Sequence, residues 1–233
     1  MLSALTQQDT IAANLANVNT VGYKGDRVVN ETFADLFLSN MNNGRPIGNL
    51  NLGTRVAGVV TDFSQGAMRA TQNLLDVAIG GDGFFKVQTP NGISYTRAGQ
   101  FTRTADGFLV TQRGDYVLGA NNQRVRIGTA EPMISSDGRV YANGALVGQI
   151  SVVTLDIANA RKAGDNLWQG TETGGMPPNT SLQQGFVEGS GVNSIKEMVN
   201  MITTLRSYES AQRVVTSIDG TLDKAVNSIG AVG

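Results

Sequence analysis

In the last forty positions apolar residues recur at Ile195, Met198, Ile202 and Leu205, and then at Tyr208, Ala211, Val215, Ile218, Leu222, Ala225 and Ile229. The steps alternate three and four, the a/d pattern of a coiled-coil seam, with one additional three-residue step between Leu205 and Tyr208. That step reads as a stammer, which overwinds a supercoil locally and leaves its seam intact. The pattern predicts a helix from Asn193 to Gly233 whose seam is roughly 50 Å long at about 1.5 Å per residue. Its other faces carry Lys196, Glu197, Asn200, Arg206, Arg213, Asp219 and Lys224. A helix of this kind is marginal alone in water, so the stripe requires a second helix, from this chain or from a neighbour.

The opposite end of the chain carries a weaker version of the same pattern. Leu2, Leu5, Ile11, Ala12, Leu15 and Val18 form an apolar face over residues 1 to about 20, and Thr10, Asn14 and Asn17 line another. Gly22 is placed to stop this helix. The cluster Asn14, Asn17 and Asn19 has two readings: helix-end capping, or an amide-lined contact surface.

Between the helices the period changes. Residues 31–54 read as a connecting region in which Phe33 and Leu36 to Leu38 form a short helical or strand piece and Asn40 to Gly53 a loop. From residue 55 to 168, short β-branched and aromatic runs such as Val77-Ala78-Ile79, Phe84-Phe85-Lys86-Val87 and Gln149-Ile150-Ser151-Val152-Val153 are punctuated by Asp82-Gly83, Asn91-Gly92, Asp106-Gly107, Asp137-Gly138 and Asn143-Gly144. Turn dipeptides at that spacing predict hairpins and an all-β domain. Residues 169–184, with Gly174-Gly175 and Pro177-Pro178, read as an extended return. The expected fold is therefore α+β: a mainly-β central domain flanked by terminal helical segments, 1–30 and 185–233, that pair as a coiled coil.

Composition narrows the function. Among 233 residues, 18 basic and 19 acidic side chains give a formal net charge of −1, so no basic field points to nucleic acid or anionic lipid. Cysteine and histidine are both absent. Disulfides, thiolate nucleophiles, imidazole acid–base chemistry and the common zinc sites are thereby excluded. No apolar run reaches about 18 residues, and the N-terminus lacks the basic and apolar regions of a secretory signal.

Candidate chemistry is thin. Asp76, Asp82, Asp106, Asp115 and Asp137 offer carboxylates for a hydrolase, but most adjoin Gly in expected turns, where Asp is favoured for backbone reasons. Gly80-Gly81-Asp82-Gly83 is followed by Phe84-Phe85 rather than the Lys of a phosphate loop. The reading is no catalytic residue, no cofactor, no metal and no small-molecule substrate.

Three segments, in order, resemble the signatures of the bacterial flagellar rod and hook proteins. Asn14-Leu15-Ala16-Asn17-Val18-Asn19-Thr20-Val21-Gly22-Tyr23-Lys24 is similar to their N-terminal motif, and Leu75 to Phe85, with Gly81-Asp82-Gly83-Phe84-Phe85 at its end, to their central one. Gln184-Gly185-Phe186-Val187-Glu188, Asn193, Glu197-Met198 and Arg206-Ser207-Tyr208-Glu209 resemble their C-terminal motif. Departures are Ala13, where Asn is common, and Gly189 and Gly191 in place of bulkier residues. The resemblance implies a rod subunit, exported unfolded through the flagellar type III apparatus. Such subunits assemble with copies of themselves and with other rod, hook and basal-body ring proteins into a tube with an inner helical layer and an outer β layer. The tube transmits torque. Two other readings of the same residues are a hook subunit, which normally carries a further outer domain, and a secreted β-domain binding module such as an adhesin.

Overall fold

The structure, a computed structural model, describes residues 2–32, 36–39, 46–50, 54–164 and 166–230. The chain divides into two compact units, each assembled from separated stretches of sequence: Met1–Ala16, Gly25–Asp62 and Asn193–Gly233 in one, Asn17–Lys24 and Phe63–Val192 in the other.

The first unit contains helices α1 (Leu2–Ala16) and α2 (Ser194–Gly230) and strands β1 (Asp26–Thr32), β2 (Leu36–Ser39), β3 (Pro46–Leu50) and β4 (Thr54–Thr61). β1 pairs antiparallel with β4 from Asp26↔Thr61 to Thr32↔Thr54, and β2 with β3 from Leu36↔Leu50 to Ser39↔Pro46. The stretch 31–54 thus holds strands of an extended ribbon where a connecting region was expected. Of the expected loop Asn40–Gly53, residues 40–45 and 51–53 lie outside the described residues, as does Phe33. α1 packs on both α2 and the ribbon. Asn14 Nδ2 donates to the Asp26 carbonyl at 2.7 Å and Asn14 Oδ1 accepts from the Asp26 amide at 2.9 Å, a reciprocal pair that ties helix to strand.

α1 is shorter than the expected helix to residue 20. It stops at Ala16, where the Asn17 carbonyl accepts from the Thr20 amide at 3.1 Å and closes a turn. Val18, expected on the apolar helix face, lies in that turn and belongs to the other unit.

The second unit is β-rich. Its main sheet joins β7 (Phe84–Thr89), β8 (Gly92–Thr96), β9 (Phe101–Arg103), β10 (Leu109–Thr111), β11 (Tyr116–Val117), β15 (Val152–Leu155), β16 (Arg161–Gly164), β17 (Leu167–Gln169) and β18 (Glu172–Gly174). A separate three-stranded sheet contains β12 (Pro132–Ile134), β13 (Arg139–Ala142) and β14 (Ala145–Gln149). β5 (Met68–Ala70) pairs with β20 (Phe186–Glu188), and β6 (Val77–Gly80) with β19 (Ser181–Gln184). Strands therefore continue through the stretch expected as an extended return.

Phe84 and Phe85 are adjacent on β7 and face opposite sides, as strand geometry requires. Phe85 enters a core with Val77, Ile79, Phe101, Leu109 and Val140, and Phe84 enters a second with Tyr95, Val153, Leu155 and Trp168. The turn dipeptides behave as their chemistry dictates. Asn143 and Gly144 both take positive φ, 52° and 80°, in the two-residue turn joining Ala142 to Ala145.

Candidate functional site

α2 begins with Asn193, whose Oδ1 accepts from the Lys196 amide at 3.1 Å, and Glu197 in the first turn suits the helix dipole. Along its first half, exposure falls at Ser194, Glu197, Asn200, Met201, Thr204, Tyr208 and Ala211. Apart from Ser194 and Asn200 these positions recur in steps of four and three, on the helix against which α1 packs. Thr204, at 6% exposure, is the most enclosed of them. From α1, Ile11 and Asn14 are buried and Leu15 is half-buried, whereas Leu5 is exposed.

The expected apolar seam is therefore two stripes. Ile195 and Ile202 lie on the side of α2 away from the less exposed face, at 74% and 52% exposure, and Met198 and Leu205 flank them at 50% and 37%. Tyr208 and Ala211 belong to the less exposed face, and its spacing continues through Val215, Ile218, Leu222 and Ala225. Val215, Ile218 and Leu222 are exposed there. The side chain of Ile229 and residues 231–233 lie outside the described residues. The apolar character changes face near Leu205, and reading apolar residues alone joins the two stripes with one short step.

The three motifs meet in the β-rich unit around one carboxylate. Glu188, 1% exposed, accepts through Oε1 from Lys24 Nζ at 2.7 Å and from the Gly66 amide at 2.8 Å, and through Oε2 from Arg97 Nε at 2.5 Å. Lys24 Nζ also donates to the Ser64 carbonyl at 2.7 Å. The Arg97 guanidinium spends its other donors on the carbonyls of Ile79, Gly81 and Gly83. Burial alone would raise the Glu188 carboxyl, but the charge and hydrogen bond of Arg97, with those from Lys24 and the Gly66 amide, hold it below the ordinary carboxylate range.

The glycines of the motifs allow this approach. Gly22 has φ +68°, donates its amide to the Glu188 carbonyl at 2.8 Å, and lies so close to Arg97 that an added Cβ would meet the Arg97 carbonyl carbon at 2.5 Å. Gly81 and Gly83 also have positive φ, and the Asp82 carbonyl accepts from Thr180 Oγ1 at 2.7 Å. Gln184 Nε2 donates to the carbonyls of Leu74 and Pro132, both at 2.7 Å, and the Gly185 amide donates to the Asp76 carbonyl at 2.8 Å. Tyr23 is buried with Lys162 Nζ 4.6 Å from its ring centroid, and Asn17 Oδ1 accepts from Thr20 Oγ1 at 3.1 Å. Ala16, Asn19, Arg206 and Glu209 face solvent.

The N-terminal motif thus divides after Ala16: Asn14 to Ala16 serve the helical unit and Asn17 to Lys24 the β-rich one. Two features were missed in sequence. Glu197 and Thr204 belong to a face of α2 that their polarity conceals, and Arg97 lies outside all three motifs, its one signal being a charge set among strand residues. The aspartates serve structure: Asp76 accepts from Asn73 Nδ2 at 3.1 Å, Asp115 from Thr111 Oγ1 at 3.3 Å, and Asp137 pairs with Arg139 at 3.1 Å. Among the described residues no group of three or more His, Cys, Asp or Glu side chains could hold a metal ion, and no helix is long and apolar enough to cross a membrane.

Residues 2–24 match the family described as flagella basal body rod protein, residues 78–142 the flagellar hook protein FlgE/F/G D1 domain, and residues 183–228 the flagellar basal body rod FlgEFG protein C-terminal region. The chain is 35% identical over 248 residues to the flagellar basal-body rod protein FlgG of Bacillus subtilis (strain 168), covering 95% of this chain and 93% of that one. It is 33% identical over 229 residues to the flagellar basal-body rod protein FlgF of Caulobacter vibrioides, covering 96% and 92%. The chain belongs to the flagellar basal-body rod protein family. As a rod-family member it is a structural component of the bacterial flagellum, and its place is the basal body. Its relatives carry rod names, which favours rod over hook or binding module.

Proposed function

We propose that this protein is a rod subunit whose terminal helices pair as a coiled coil and, with those of neighbouring copies, build the inner layer of a helical tube. The tube carries torque from the basal-body ring to the hook. One observation supports this reading: α2 bears two exposed apolar stripes, Ile195-Met198-Ile202-Leu205 and Val215-Ile218-Leu222, that α1 leaves uncovered. At about 1 kcal/mol for each side chain, burying these seven contributes on the order of 7 kcal/mol, comparable with the stability of a whole domain. Interdigitated seams of this kind resist sliding because packed cores do not deform continuously. Assembly takes place with further copies and with other rod, hook and ring components, after delivery of the unfolded chain by the flagellar type III apparatus.

The test replaces one residue in each stripe, Ile202→Asp and Leu222→Asp. Both positions are exposed in the isolated chain, so the expected result is an unchanged melting temperature for the purified subunit together with loss of rod assembly and motility. Normal incorporation and swimming of both variants would remove the basis for the seam.

A further inference from the structure

Strand β18 is held differently from its neighbours in the main sheet. Residues Thr171 to Gly175 are all exposed, and none of them enters either hydrophobic core. The pairing with β15 consists of Thr154↔Gly174 and Leu155↔Glu172, with a register shift between them. Two side-chain ties reinforce it, and both are exposed: Thr154 Oγ1 donates to the Gly175 carbonyl at 3.2 Å and Thr173 Oγ1 to the Thr154 carbonyl at 3.3 Å. At Gly174 and Gly175 an added Cβ would meet nothing within 4 Å, so no packed neighbour fixes this corner. Few buried apolar contacts and exposed backbone bonds mark a segment that opens locally rather than with its whole domain.

One side chain ties this strand to the interior. Glu172 pairs with Lys86 Nζ on β7 and accepts from Tyr95 Oη on β8 at 2.7 Å. Lys86 is buried, and among the described residues Glu172 is its one anionic partner. A buried ammonium that loses its counter-charge is costly. Burial alone would raise the Glu172 carboxyl, but the hydrogen bonds from Lys86 and Tyr95 and the Lys86 charge hold it below the ordinary carboxylate range. Burial and the same carboxylate push the Tyr95 phenol up, which keeps it a donor. A cavity of about 580 Å³ adjoins the strand, with Lys86, Ser151, Glu172, Gly174 and Met176 among its lining. We infer that β18 is a strap that opens independently of the rest of the β-rich unit, with Glu172 as its latch. Opening lifts the carboxylate from Lys86, bares that ammonium to solvent and leaves β15 with an unpaired edge, so the main sheet carries a conditional edge.

Hydrogen exchange of the full-length protein at neutral pH, read by mass spectrometry, tests the strap. In Glu172→Gln, segments 152–156 and 171–175 are expected to exchange at least several-fold faster than in wild type, while 181–188, which holds β19 and β20, keeps its wild-type rate. Unchanged exchange at 152–156 and 171–175 would overturn the latch. Equal acceleration at 181–188 would overturn independent opening. Because the chain has no cysteine, Thr154→Cys/Gly174→Cys, at opposed positions of the two strands, sets a single disulfide across the strap. Combined with Glu172→Gln, the oxidised pair is expected to return both segments to slow exchange and the reduced pair to leave them fast. Fast exchange in the oxidised form would mean that these segments open by another route, and the strap would be overturned.

Discussion

The β-rich unit hides even its charges, while the helical unit leaves whole rows of isoleucine, leucine and valine in water. Glu188, Lys24 and Arg97 are enclosed and mutually satisfied, with the core residues Phe85, Val140 and Leu109 close by in the same unit. On α2, Ile195, Ile202, Val215 and Leu222 are 47–74% exposed. Both regions come from one composition, so residue type does not decide burial; what decides it is whether the chain itself supplies the opposing surface. The β-rich unit supplies its own opposing surfaces, and α2 leaves part of its apolar surface exposed.

The strongest challenge to that contrast is Glu188→Ala. It leaves two cations buried without their anion, and the expected loss is about 3–5 kcal/mol in denaturant unfolding of the β-rich unit. A loss below about 1 kcal/mol would mean that the cluster is not the closure its geometry describes.

Next in size is a matched pair of truncations. Leu109→Ala in the core is expected to cost about 2–5 kcal/mol, and Leu222→Ala on α2 to stay within about 0.5 kcal/mol, both read by chemical denaturation of the dilute subunit. Equal costs would erase the distinction between the regions.

Acid should act on the β-rich unit. The Glu188 carboxyl is held below its ordinary value of about 4.3. Its contribution is therefore complete above that pH and is lost as the pH falls through the depressed folded value. Thermal melts are expected to fall away below about pH 4, and Glu188→Gln should flatten the drop while lowering stability at neutral pH. The smallest effect belongs to Gly220, where an added Cβ meets nothing within 4 Å. Gly220→Ala should raise α2 helicity by circular dichroism, with a gain of at most about 1 kcal/mol.

Much of this was legible in the chain. The long C-terminal helix, the Gly-punctuated hairpins and the three motifs could be read from spacing and turn chemistry. The face α2 turns to α1 could not, because Glu197 and Thr204 are polar and hydrophobic periodicity passes over them. The ribbon strand Asp26–Thr32, Asp-Arg-Val-Val-Asn-Glu-Thr, has only two apolar residues and so gave no strand signal. α1 looked longer than it is because Val18 continues the apolar spacing, although Asn17 and Thr20 close a turn that contains it. Arg97 was unreadable for another reason: its partners lie 14 to 18 residues back along the chain and 91 residues onward, and only the folded topology brings them together.

Lys24 and Glu188 are separated by 164 positions, and the anion is supplied by the later of the two. Lys24 and Arg97, from earlier parts of the chain, share this one late carboxylate. Strand β20 thus carries the group that ties early and middle segments of the β-rich unit together, and the chain passes from it directly into α2.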